Sequence, residues 1–253
     1  MLLRLRMISV IVCLLLFGTS LIAEDWGAWK GRVVVTGDLP EVAPLVARGD
    51  TAVKDSVCTA GDVPDDSLRI DPESRGLAGV FVFLRRKPKA IHPELEVSAE
   101  SEVVFDQKGC RFVPHTMVVR TDQTVLVKSD DPTNHNTHTH PTFNTPENFL
   151  VQPNNRDGVP LEFRLPEPNP VKVTCDLHPW MNAHWLVVDH PYATLTNEKG
   201  EFFIERLPVG EQTFRIWHER FGWIDKSLKA EIAADETRDH TTIEVSIDEL
   251  LKN

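Results

Sequence analysis

Nearly the whole chain alternates short runs rich in Val, Phe, Ile and Thr with clusters of Gly, Pro, Asn and Asp. β-Branched and aromatic runs cut off by turn residues read as strands. The runs are Lys30–Thr36, Gly79–Arg85, Glu102–Phe105, Thr116–Arg120, Thr124–Lys128, His135–His140, Leu161–Leu165, Val171–Cys175, Ala183–Asp189, Tyr192–Thr196, Glu201–Leu207 and Gln212–His218. The 18 prolines fall mostly between them, where the missing N–H breaks no ladder. The pattern predicts an all-β sandwich. Ser246–Lys252 predicts one short terminal helix. Two connections are long. Asp38–Asp66 is an acidic, Pro-containing surface excursion, and Pro141–Pro160 carries Asn144, Asn148, Asn154 and Asn155. There is no sequence repeat of solenoid type.

Within that frame, Cys175-Asp-Leu-His178-Pro-Trp-Met181 puts a thiol, an imidazole and a thioether on one short loop, spaced C-x2-H-x2-M. A further donor, His135, stands upstream in Asn134-His135-Asn136. Two His nitrogens and one Cys sulfur in a plane, with a weak axial Met sulfur, are the donors of a blue-copper centre. Zinc fits less well, because Met is not among its usual ligands. The alternative is a buried thiol at Cys175 and a core-filling Met181, both common uses of those residues.

A 253-residue chain holds one large β domain or two ordinary ones. It opens like an exported protein, with Arg4 and Arg6 before the apolar run Met7–Leu16 and small residues leading to Ala23. Cleavage after Ala23 is expected, an uncleaved anchor being the alternative. No other apolar run is long enough to span a bilayer. The formal charge of −11 becomes −13 when Arg4 and Arg6 leave with the segment. Such a surface argues against nucleic acid and suits a soluble carrier or a basic partner. The remaining cysteines are Cys58, Cys110 and Cys175. With Cys175 on a metal and export to an oxidising compartment, a Cys58–Cys110 disulfide is the economical inference, two buried thiols the alternative.

From Glu102 to Asp189 the chain resembles the cupredoxins, nearest to the amicyanin and plastocyanin branch. The likeness lies in Glu102-Val-Val-Phe-Asp106, Phe112-Val-Pro114, the run Thr116–Lys128, the segment Ser129–Asn136 with its His-Asn pair, and the ligand loop Cys175–Met181. The His-Pro-aromatic-Met ending is the amicyanin version. The resemblance implies His135, Cys175 and His178 as equatorial copper ligands, Met181 as the axial one, and Asn136 supporting the sulfur through its backbone N–H. It covers roughly a third of the chain. The flanks resemble, weakly, transthyretin-like carboxypeptidase regulatory domains, through Trp29–Val35, Leu77–Leu84, Ala193–Ile204 and Leu207-Pro-Val-Gly210. The expected organisation is an export segment 1–23, a copper domain 95–189, and flanks 24–94 and 190–253 forming a second small sandwich. Strands simply added to the copper sheets are the alternative.

His138 and His140 share a strand face and are expected to be hydrogen-bonded neighbours of the site, a second metal being the alternative. His92, His115, His184, His190, His218 and His240 are taken as structural or exposed. Trp217 and Trp223 are expected in the core of the C-terminal part, and Asp65-Asp66 and Asp130-Asp131 in solvent. No Gly-rich phosphate loop, G-x-S-x-G or H-E-x-x-H is present, so no enzyme is expected. The expectation is a periplasmic or secreted single-electron copper carrier serving a redox protein such as a c-type cytochrome, with the electron leaving by the exposed edge of His178. A copper chaperone or store, and an interaction module with a structural metal, are the other readings.

Overall fold

The computed structural model describes residues 25–250; the expected export segment lies outside the described residues. The strands are β1 (Trp26–Thr36), β2 (Phe81–Leu84), β3 (Glu102–Gln107), β4 (Phe112–Val113), β5 (Thr116–Arg120), β6 (Thr124–Ser129), β7 (His135–His140) and β8 (Asn148–Val151). They continue with β9 (Val159–Glu162), β10 (Val171–Thr174), β11 (Asn182–Val188), β12 (Ala193–Leu195), β13 (Glu201–Pro208), β14 (Gly210–His218), β15 (Gly222–Ile232) and β16 (Thr237–Ser246). A one-turn helix, Ile247–Leu250, follows.

They form four sheets, ordered β13-β1-β16, β12-β2-β14-β15, β5-β11-β10-β7-β8 and β4-β3-β6-β9. The first two contain only strands from before residue 95 and after residue 190, and the last two only strands between. β1 pairs antiparallel with β13 and parallel with β16. Trp29, Val33 and Val35 of β1 pack with Val82, Leu84, Phe214 and Ile216 from the facing sheet. The second pair of sheets encloses Phe105, Val125, Val127, Val171, Val173, Trp185 and Val187.

Strand periodicity also joins the two sandwiches. β2 is buried on both faces. Val82 and Leu84 enter one core, while Phe81 and Phe83 turn the other way and meet Leu186 and Val188. β11 does the converse, sending Trp185 and Val187 into its own core. Successive side chains on opposite faces thus give a stack of four layers with an apolar seam in the middle. Trp217 and Trp223 belong to that seam rather than to the C-terminal core. Arg215 lies over the Trp223 ring, 5.3 Å from its centroid.

The excursion 38–66 departs from its expected place with the flanks. Val46, Cys58 and Val63 are buried in the core beneath the ligand loop, and a Cys58–Cys110 disulfide with a Cα–Cα distance of 5.3 Å fastens it there. Three apolar anchors and a covalent tie outweigh its acidic surface. It returns towards β1 past Gly76 and Gly200. A Cβ at Gly200, where φ is +73°, would lie 2.2 Å from the Val33 carbonyl oxygen, so only glycine fits that turn.

Other departures are local. The expected strand at 161–165 is Val159–Glu162, and β8 occupies part of the expected long loop. β15 and β16 were not anticipated. Lys226, Lys229 and Glu231 on one strand, and Arg238, Asp239 and Glu244 on the other, dilute the apolar alternation.

His190 and His218 are buried, 3% and 2% exposed. Burial lowers both from an ordinary value near 6.5 to about 4. A neutral histidine of this kind contributes stability that is complete above pH 6.5 and lost as pH falls through 4, because the unfolded chain takes up the proton first. From pH 7.5 to 4 the loss should be about 3 kcal/mol per residue. Urea unfolding at both pH values should show a smaller decline in His218→Gln than in wild type; equal declines would refute the assignment.

Candidate metal centre

β7 begins at His135, β10 ends at Thr174 beside Cys175, and β11 starts just after Met181. β7 and β10 are paired, with Thr174 opposite His138, and β10 pairs with β11. Three neighbouring strands therefore converge on one end of the sandwich and bring the four residues together. The loop is closed by Cys175 N–H donating to the Met181 carbonyl at 3.2 Å and Met181 N–H to the His178 carbonyl at 2.9 Å.

The donor atoms of His135, Cys175 and His178 lie within 4.8 Å of one another. His135 Nδ1 is 3.0 Å from His178 Nδ1, and Cys175 Sγ is 3.8 Å from the latter. Met181 is packed against the same core, 1% exposed. Two imidazoles, a thiol and a thioether, all shielded from water, are a soft donor set that fits copper.

Each imidazole is held from behind. His135 Nε2 lies 2.9 Å from Asp131 Oδ2, which fixes the tautomer and leaves Nδ1 facing inwards. Asp131 also accepts from Gly109 N at 2.6 Å and Cys110 N at 2.8 Å. It is a buried bracket between the disulfide and the ligand, not the solvated turn residue expected. His178 Nε2 is 3.3 Å from Asp55 Oδ2, and Asp55 accepts from Thr133 Oγ1 at 2.6 Å.

Asn136 ties the two ligand segments. Its Oδ1 accepts from Asp176 N at 2.7 Å and from the Cys175 thiol at 3.3 Å, and its Nδ2 donates to Asp176 at 3.0 Å. Burial opposes ionisation of Cys175, yet hydrogen bonds from His135, His178 and the Asn136 backbone bring the thiol down to about 6. Burial likewise opposes the charge on His135, but Asp131 and Cys175 raise it to about 9. These hydrogen bonds favour the thiolate, the form in which a cysteine binds metal.

His138 lies 3.1 Å from Asp176 Oδ1 and His140 2.9 Å from Thr174 Oγ1, so both are hydrogen-bonded on the strand beside the site. The exposed His178 edge expected from sequence is absent. The residue is 6% exposed, covered by Asp55 of the excursion. Trp180 is half-buried, its Nε1 donating to the Cys110 carbonyl at 3.1 Å. The loop instead presents Leu177, 52% exposed, with Asp176 and Pro179 on either side of it also exposed.

Asp55 and Asp131 are the residues that sequence reasoning missed. A Cys58–Cys110 link was a usable signal, because it draws the segment carrying Asp55 towards Cys110, whose N–H donates to Asp131. Asp65 and Asp66, also expected in solvent, reach Arg220 at 3.4 Å and Arg111 at 2.8 Å.

No family profile matches the chain, and no curated protein matches it. Among solved structures it is similar to a reduced amicyanin variant, with 16% identity over 42% of this chain and 97% of that one and a TM-score of 0.30. A purple cupredoxin from Nitrosopumilus maritimus is 16% identical over 35% of this chain and 99% of its own, TM-score 0.27. A copper-containing nitrite reductase from Thermus scotoductus is 20% identical over 42% of this chain and 25% of its own, TM-score 0.27.

Proposed function

We propose that the chain is a type 1 copper protein that carries single electrons. The observation that carries this reading is the convergence of the buried His135, Cys175 and His178, with Met181 in the same core as Cys175, held from behind by Asp131, Asp55 and Asn136. His135, Cys175, His178 and Met181 are the residues that would hold copper. Bound there, copper supplies a one-electron couple between Cu(I) and Cu(II). The chain's part is to keep the donors fixed, so that little rearranges on transfer, and to exclude water. We assign no catalytic activity, since four protein donors leave no open position.

The partner is a redox protein, a c-type cytochrome being our choice. Leu177 and Pro179 offer it an exposed contact beside Cys175 and His178, and the acidic surface steers it if it is basic. A periplasmic or secreted location rests on the segment 1–23. We take 95–189 as a copper domain inserted into a sandwich made by the two flanks, with part of 38–66 added to the copper domain.

The cover over His178 supports a second reading, a store that retains copper. Visible and paramagnetic resonance spectra of the copper-loaded protein test the site, an intense thiolate-to-copper band being expected. Voltammetry separates the roles. A fast, reversible couple supports the carrier, whereas a slow couple with copper held firmly against a chelator supports the store.

A further inference from the structure

A second cluster of metal-binding side chains lies at the seam between the sandwiches. His115 precedes β5 and His184 sits on β11, both on the copper side, while Glu219 occupies the turn between β14 and β15 on the flanking side. Their donor atoms lie within 4.8 Å of one another. We infer that His115, His184 and Glu219 form a second metal site, for a divalent ion of the zinc class, which staples one sandwich to the other. Two imidazoles and one carboxylate are a common zinc donor set, leaving a fourth position for water. The inference stands apart from the copper reading.

Three observations carry it beyond a simple ion bridge. The side chains are only 11%, 13% and 10% exposed, which is unusual for a carboxylate that, among the described residues, forms no salt bridge with a Lys or Arg. Glu219 Oε1 is hydrogen-bonded to His115 Nε2, but His184 Nδ1 stands 3.5 Å from Glu219 Oε2 and makes no hydrogen bond. That separation is close to the one that two neighbouring ligands of a single ion keep. In tetrahedral zinc, donors about 2.0–2.2 Å from the ion stand about 3.3 Å apart.

The rings are also pre-positioned. His184 N–H donates to the His115 carbonyl at 3.0 Å, and the His184 ring packs on Trp217 at 5.1 Å between centroids. A cleft of about 240 Å³, lined by Asp66, Arg69, Arg111, Pro114 and His115, reaches the His115 edge of the cluster.

The test loads the full chain with copper first, so that zinc cannot report on the Cys175 site, and then titrates zinc chloride calorimetrically while counting bound metal. One equivalent of zinc beyond the copper is expected. Since loss of an outer partner already costs about 10–100-fold in metal affinity, loss of a ligand in Glu219→Gln or His115→Gln should weaken zinc at least about 100-fold. Glu219→Asp should retain part of the affinity, and circular dichroism confirms that each variant is folded. Should the chain take no copper, the same titration in a Cys175→Ser background gives the answer independently. Absence of the extra equivalent in the wild type, or equal zinc binding by wild type and both variants, would overturn the inference and leave an ion bridge.

Discussion

Cys175→Ser should abolish the intense blue band of the copper-loaded protein while leaving the chain folded. The band requires a sulfur p orbital overlapping the metal, and a hydroxyl provides none. The cost in stability should be about 1 kcal/mol, because Asn136 Oδ1, 3.3 Å from the sulfur, can accept from the new hydroxyl as it does from the thiol. The small cost makes the variant informative, since loss of colour cannot then be put down to unfolding. Visible absorption and a urea titration measure both quantities. A wild-type protein that binds copper without the band would sink the type 1 assignment, and a variant that keeps the band would move the sulfur ligand elsewhere.

That centre was legible because its chemistry is compressed. Three donors fall within seven residues, and His135 carries its own marker in the Asn that follows. The strands next to it were legible for the related reason that they are short, apolar and bounded by turn residues. What lies around the donors was not. Asp131 looked like a turn acid, because nothing in Ser129-Asp-Asp-Pro says that its carboxylate is turned inwards onto two backbone N–H groups and an imidazole. Asp55 looked like part of a solvated loop, because burial of the excursion depends on Val46 and Val63, two single apolar residues with no periodicity. β15 and β16 failed on pattern, as one face of each is charged. His115, His184 and Glu219 lie on three separate elements, and only the stacking of the sandwiches brings them together.

The excursion yields the other large effect. Replacing both Cys58 and Cys110 with Ala should lower the stability of the copper sandwich by about 4 kcal/mol. The bond closes a loop of sequence separation 52, and the entropy returned to the unfolded chain by opening such a loop has that magnitude. The same change should loosen the cover over the metal. Asp55 reaches His178 from only three residues before Cys58, and Gly109 and Cys110 supply the N–H groups that orient Asp131 behind His135. One covalent bond therefore braces the partners of both imidazoles. Without it, Val46, Val63 and the Asp66–Arg111 pair still hold the segment, so copper should bind but leave faster. Two measurements check this: the urea midpoint followed by the blue band, which reports on this sandwich alone, and the rate at which a Cu(I) chelator strips the reduced protein. The midpoint should fall and the stripping rate rise. Unchanged stability would mean that the disulfide restrains nothing the apolar contacts do not already fix. Lower stability with unchanged stripping would mean that the excursion does not guard His178, which would remove the observation favouring a copper store.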